Sequence, residues 1–256
     1  INRSTIMSTL KVNEIKGVGA TDAAITVNNT DGTCTANITN NLSNRNLIIN
    51  GAMQVAQRGS ASSTTNGLAT VDRFKKIGSG LGNTFSQEQI TLSSSDTPYS
   101  SGFRKAFRVS QDQAGSANAA GAIDFSHYIE AQNLTDSGWN YTSASSKITL
   151  QFWFRASTNQ TFYAVLYTQD GTKQIYPFAF TASGNNTWTK ITHTIPGNSN
   201  ITIDNDNGTG LILYLIPYYG TDYTDNSLNA SAWNTYSNSF CPDMASTWLT
   251  AGASTF

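Results

Sequence analysis

Gln151, Trp153 and Arg155 occupy alternate positions in the stretch ITLQFWFRAS (Ile148–Ser157). Successive side chains of an extended strand point to opposite faces. Ile148, Leu150, Phe152 and Phe154 therefore share one face, and Thr149, Gln151, Trp153 and Arg155 share the other. The first set is a core face. The second suits a saccharide, because an indole stacks on the apolar face of a pyranose while flanking amide and guanidinium groups hydrogen-bond its hydroxyls. Tyr163 and Tyr167, in TFYAVLYT (Thr161–Thr168), extend that patch if a hairpin sets them beside Trp153. The structural alternative is that Trp153 is buried against a loop or a neighbouring subunit. Trp233 and Tyr236, in SLNASAWNTYSNS, form a second ligand-binding candidate, since long loops at the ends of a sandwich carry binding variation.

Residues that could do acid–base or metal chemistry are scattered. There are sixteen Asp and Glu, and no pair stands out. Glycoside cleavage needs two carboxylates whose separation is set in three dimensions, which sequence alone does not give. The histidines are His127 and His193, and neither a G-x-S-x-G nor an HExxH motif is present. His193 lies in phase with Thr189, Ile191 and Ile195, as a sheet-surface or satisfied core residue would. Glu130 reads as a structural salt bridge or hydrogen bond at a strand end, and Asp72-Arg73 as a structural ion pair. Asp204, Asp206 and Asn207 in IDNDNG could ligate Ca²⁺ with backbone carbonyls, but they lack the full pattern of a dedicated acidic loop and read as a metal-free turn. The expectation is a non-enzyme with no catalytic residue, no metal ligand and no cofactor.

The elements that must carry these residues are strands. FRKAFRVS (Phe103–Ser110), AIDFSHYIEA (Ala122–Ala131), QIYPFAF, WTKITHTI and LILYLIPY join the two stretches above, divided by turn chemistry such as QDGT, SGNNT and DNDNG. No long helical period interrupts them. The pattern predicts an all-β fold, an antiparallel β-sandwich of jelly-roll type. NLIING (Asn46–Gly51) is expected as its first strand, with Asn50-Gly51 as a turn signal and AMQVAQRG continuing a strand that exposes Gln54 and Gln57.

Residues 1–45 differ in character: short apolar pulses separated by turn residues, none able to form a core alone. They read either as a disordered linker or as short strands that pair only within an oligomer or against a partner, and the regular pulses favour an extended attachment and oligomerisation segment. The expected domains are thus 1–45 and 46–256.

Bulk properties narrow the function classes. The chain has 256 residues, 12% of them charged, at a formal net charge of −1. Charge so low and balanced argues against nucleic acid, which needs clustered Lys and Arg. The longest apolar run, Leu211–Tyr219, is strand-sized and contains Pro217, so no membrane insertion is expected. INRSTIMSTLK lacks the apolar core of a signal peptide, and whether Met7 is the natural start stays open. Cys34 and Cys241 lie far apart, without disulfide or metal spacing, as for two unpaired thiols in a protein assembled in a reducing cytoplasm.

Several of these stretches, in order, resemble a domain of bacteriophage tail fibres and other virion appendages. NLIINGAMQVAQRGS followed by TVDRF resembles its N-L-x-x-N-G…Q-R-G and T-x-D-R-aromatic opening. HYIEAQN, KITLQFWFRAS, YPFAFTASGNNTWTKITHTIPG, IDNDNGTGLILYL and ASAWNTYSN have counterparts further along, over most of the chain. The resemblance implies a virion protein with a jelly roll like those of carbohydrate-binding modules, usually trimeric. It would be assembled in the host cytoplasm, with residues 1–45 contacting other virion proteins and a host cell-surface polysaccharide as ligand. Two further readings stay open: a purely structural capsid decoration or connector, and a carbohydrate-binding module of a polysaccharide-degrading enzyme. In the family a further apolar strand follows the segment that here reads WLTAGASTF. The expectation is that the sequence is part of a longer chain; the alternative is a sandwich lacking its final strand.

Overall fold

The computed structural model describes residues 12–16, 18–19, 21, 23–28, 30, 32, 34–36 and 46–256. The chain forms two compact units, Ile1–Asn44 and Arg45–Phe256. In the first, β1 (Glu14–Ile15), β2 (Ile25–Val27) and β3 (Cys34–Ala36) make an antiparallel meander in that order. Ile15, Ile25 and Val27 thus lie on strands that pair within the chain, while the pulses at Leu10, Ile38 and Leu42 lie outside the described residues. Cys34 is exposed there.

The second unit is an all-β antiparallel sandwich. Its strands are β4 (Phe74–Ser79), β5 (Phe85–Thr91), β6 (Lys105–Gln111), β7 (Ala122–Glu130), β8 (Lys147–Phe154), β9 (Asn159–Thr168), β10 (Gln174–Ser183), β11 (Thr189–Pro196), β12 (Thr209–Tyr219), β13 (Asn234–Thr235) and β14 (Ser254–Thr255). One layer is a six-stranded sheet in the order β13-β10-β9-β12-β7-β4. The other consists of the pair β11-β8 and the three strands β14-β6-β5. The helices are single turns: α1 (Thr97–Ser100), α2 (Ala131–Thr135) and α3 (Thr247–Thr250).

Alternation places the core. Phe154 of β8 meets Phe162 of β9 at 5.6 Å and Phe180 of β10 at 4.9 Å, edge to face across the layers. Phe256 fills the centre, 4.8 Å from Phe154 and 4.9 Å from Phe162. Thr255 and Ser254 just before it pair with Ser110 and Gln111 of β6. The WLTAGASTF segment therefore contributes a strand and a core aromatic to the sandwich. Edge-to-face packing of rings at these separations adds to the burial of apolar surface that holds the layers together.

Two expectations about chain path are corrected. The hairpin that would set Tyr163 and Tyr167 beside Trp153 does not form across ASTNQ (Ala156–Gln160): β8 pairs with β11, and β9 pairs with β10 and β12, so the connection crosses between layers. NLIING is not a strand, and AMQVAQRG does not continue one. Asn50 sits at φ 59, outside extended geometry, and turns the chain. Its side-chain amide donates to the carbonyls of Val55 and Asp72, each at 2.9 Å, while its Oδ1 accepts the Val55 N–H at 3.0 Å. The Ile49 N–H donates to His127 Nε2 at 3.3 Å. Leu47, Ile48 and Met53 pack onto the core from this loop. Ile49 and Val55 stay exposed, and the loop is fastened by side chains instead of a sheet ladder. Burial, with the Arg73 charge nearby, pushes the His127 imidazole down to about 4, consistent with its role as a neutral acceptor. Asp72 and Arg73 do not pair with each other: Asp72 meets Arg58 at 3.1 Å, and Arg73 meets Glu130 at 3.7 Å. Neighbours in sequence point apart here, so each reaches its own partner.

Candidate functional site

The β8–β11 pair presents a ladder of side chains on the face turned away from the core. The register sets Lys190 opposite Trp153, Thr192 opposite Gln151 and Thr194 opposite Thr149. Gln151 Nε2 donates to Thr192 Oγ1 at 3.0 Å, and the Thr149 and Thr194 hydroxyls meet at 3.4 Å. One rung further, the Arg155 guanidinium lies over the Trp188 ring at 4.6 Å. Both groups donate to Asp96 Oδ1, beside α1: Arg155 at 3.1 Å and the Trp188 indole at 2.8 Å. The Trp188 hydrogen bond, with those from Ser93 and the Arg155 charge, holds the Asp96 carboxyl below the usual carboxylate range.

Comparing the five tryptophans isolates one of them. Trp139, Trp188, Trp233 and Trp248 each donate their indole N–H, to Ser146, Asp96, Pro196 and Thr255. Each also has a ring or cation against it: Tyr141, Arg155, Tyr176 and Phe85 respectively. Among the described residues Trp153 has neither an N–H acceptor nor a ring or cation partner, and it is half-buried. An indole usually finds an acceptor when it packs into its own protein. Trp153 instead offers a ring face and a free donor, with Lys190 opposite and Gln151 two residues away on the same strand.

Gln151, Trp153 and Arg155 thus share a face. The two tyrosines expected to extend it do not. Tyr163 and Tyr167 lie on β9 of the other layer and turn away from the core, so the sandwich stands between them and Trp153. Tyr163 is half-buried, and Tyr167 is buried against Tyr236 at 4.8 Å and Phe240 at 5.4 Å. Trp233 and Tyr236 also part company. Trp233 packs on Tyr176 at 5.2 Å with its N–H on Pro196, whereas Tyr236 joins the cover over β9. Three residues in sequence separate rings that serve different sides of the molecule. Trp188, Lys190 and Asp96 are the members of the β8–β11 site that the sequence did not single out. Trp188 and Lys190 needed the register; Asp96 needed the distant loop before α1.

His193 stacks on Phe178 at 4.1 Å with near-parallel rings, and its Nε2 lies 3.4 Å from the Tyr176 hydroxyl. Burial pushes its imidazole down, so it packs as a neutral ring. Asp206 Oδ1 accepts the Gly208 N–H at 2.9 Å within the IDNDNG turn, and Asp170, from the connection after β9, accepts the Asp204 N–H at 3.0 Å. Among the described residues no three His, Cys, Asp or Glu side chains converge on a point that could hold a metal ion, and no helix is long and apolar enough to cross a membrane.

No family model matches this chain, and no curated protein matches it. Among solved structures it is similar to the enzymatically active domain of tailspike protein 4 from bacteriophage CBA120, at 13% sequence identity and a TM-score of 0.37. The similarity covers 68% of this chain and 20% of that one, so this chain spans a small part of that protein's length.

Proposed function

We propose that the chain is a bacteriophage virion appendage protein whose sandwich binds a host-surface glycan on the outer face of β8–β11. The observation that carries the binding part is the unpartnered indole of Trp153, flanked by Gln151 and Lys190. The virion part rests on the ordered resemblance of NLIING…QRG…VDRF, KITLQFWFRAS and NTWTKITHTIPG to virion-appendage domains. Residues 1–45 would provide attachment to other virion proteins, and three chains would assemble together.

Binding without hydrolysis fits the carboxylates of this face. The strands β8 and β11 contain no Asp or Glu, and Asp96 is already engaged by Arg155 and Trp188. A carboxyl held ionised by those donors is a poor general acid. Trp153→Ala is expected to weaken glycan binding by about thirtyfold or more, as for a central aromatic anchor, while leaving the fold intact. Unchanged binding in glycan screening or to host cells would remove this face from the function.

The same open indole also suits a subunit interface in a purely structural virion protein. Sedimentation equilibrium separates the readings: there Trp153→Ala would dissociate the oligomer, whereas a glycan platform leaves the oligomer unchanged.

A further inference from the structure

The charge on this face points to an acidic polysaccharide as its ligand, an inference that rests on the glycan-binding reading above. On β8 the outward positions are Lys147, Thr149, Gln151 and Trp153, with Arg155 just beyond; on β11 they are Lys190, Thr192 and Thr194. Three are cationic and none is anionic. Asp96, reaching in from its loop, neutralises Arg155 at 3.1 Å. Lys147 and Lys190 are exposed, and among the described residues neither meets a carboxylate. The face keeps two uncompensated positive charges on a chain whose formal net charge is −1. On the neighbouring strands of the same layer, Arg108 of β6 and Glu88 of β5 close on each other at 2.6 Å.

The spacing favours a polymer over a single sugar. Lys190 stands directly across from Trp153, within reach of a substituent on a ring stacked there. Lys147 lies six residues along the strand from Trp153, about 20 Å at strand rise, the span of several sugars. Between the two run Gln151, Thr192, Thr149 and Thr194, a strip of amide and hydroxyl groups able to serve sugar hydroxyls. A saccharide chain lying along the strands would stack on Trp153 and set acidic groups against Lys190 and Lys147. Exposed charges of this kind contribute modestly each and are screened by salt, so they select among glycans already held by stacking.

The test is titration calorimetry on the full chain with matched polymers: polygalacturonate against its methyl ester, polysialate against its carboxyl-reduced form, and dextran sulfate against dextran. The expected result is tighter binding of one or more acidic members, about fivefold or more over the neutral partner. That preference would shrink between about 50 and about 500 mM NaCl. Lys190→Gln and Lys147→Gln would each reduce that preference, and which pair shows it separates carboxylate from sulfate recognition. Equal binding of acidic and neutral partners, lost in Trp153→Ala, would overturn the acidic inference and leave the glycan reading standing. Binding of no polymer in the panel, acidic or neutral, would overturn both. A preference for the acidic form that persists undiminished in Lys190→Gln and Lys147→Gln would also overturn it, since the charge would then be read elsewhere.

Discussion

The outer face of the six-stranded sheet is covered by chain, while the outer face of the β8–β11 pair is bare. On the covered side Val165, Ile175, Ile212, Ile216 and Tyr219 are buried beneath Tyr223, Leu228, Tyr236, Phe240, Cys241 and Met244 of the long segment after β12. Tyr219, Tyr236 and Tyr167 all pack on Phe240, between 5.2 and 5.8 Å. On the bare side the outward positions are Thr, Gln, Lys and one indole. Strands buried on both faces carry apolar residues at consecutive positions, and strands with one wet face alternate. LILYLIPYY is the first kind and KITLQFWF the second. The comparison teaches that tyrosines alone do not mark a binding face: those on β9 and β12 build a second core, and the lone Trp153 has no such role.

This contrast can be tested from its largest consequence downward. Cys241 is fully buried in the covered face, and burial with the nearby Asp243 charge pushes its thiol up to about 12. Cys34 is exposed. A thiol reagent at pH 8 is expected to label Cys34 at least about a thousandfold faster, with Cys241 reacting only as the cover opens. Comparable rates would show that the second core is open in solution. Next, Ile216→Ala, on the covered face, should cost about 3 kcal/mol in urea unfolding through the cavity it leaves. Trp153→Ala removes a larger side chain from the bare face and should cost less than about 1 kcal/mol. A loss of similar size from both would mean that Trp153 is packed after all.

A subtler consequence concerns Asp124, an outward residue of β7 enclosed on the covered side. Its Oδ2 accepts the Tyr219 hydroxyl at 2.9 Å, its Oδ1 has no hydrogen-bond partner, and burial pushes its carboxyl up to about 7. The folded pKa lies above the unfolded value of about 3.9, so the folded state holds the proton more tightly. Asp124 therefore favours folding below about pH 4, and that contribution is lost as pH rises towards about 7. Asp124→Asn keeps the acceptor for Tyr219 and removes the buried charge. It should raise stability at pH 8 by about 1 kcal/mol and flatten the pH dependence between about 4 and 7. A variant less stable than wild type at pH 8 would show that the ionised carboxylate has a partner in solution.

Much of the fold was legible because most strands alternate or run apolar at strand length. β6 to β12 were all readable as short segments between Asn, Gly and Ser turns. β4 and β5 were not, because polar residues sit at inward positions. Lys76 is 1% exposed, with its ammonium donating to the carbonyls of Thr64 and Phe85 at 3.0 and 2.9 Å, and burial pushes it down to about 8. Gln87 likewise donates to Thr65 and Gly67. Apart from the Phe85 carbonyl, their acceptors lie in a strap of chain around residues 63–67, a partner that no periodicity announces. NLIING misled in the opposite direction: Leu47 and Ile48 are half-buried against the core and Ile49 is exposed, and the left-handed Asn50 and the bond from Ile49 to His127 hold a loop.

Of the candidate site, the sequence by itself determined that Gln151, Trp153 and Arg155 lie on one face of a strand, because the two-residue period of an extended chain leaves no other arrangement. It also set the composition of β11, with Lys190 and no carboxylate. Only the tertiary structure decided that β8 pairs with β11 and not with β9, which brought Lys190 and Trp188 in and sent Tyr163 and Tyr167 to the far side. Only it decided that the segment after β12 closes over one sheet and leaves the other bare. Both outcomes depend on contacts between residues distant in sequence, where loop closure and shared burial choose the partner and local periodicity is silent.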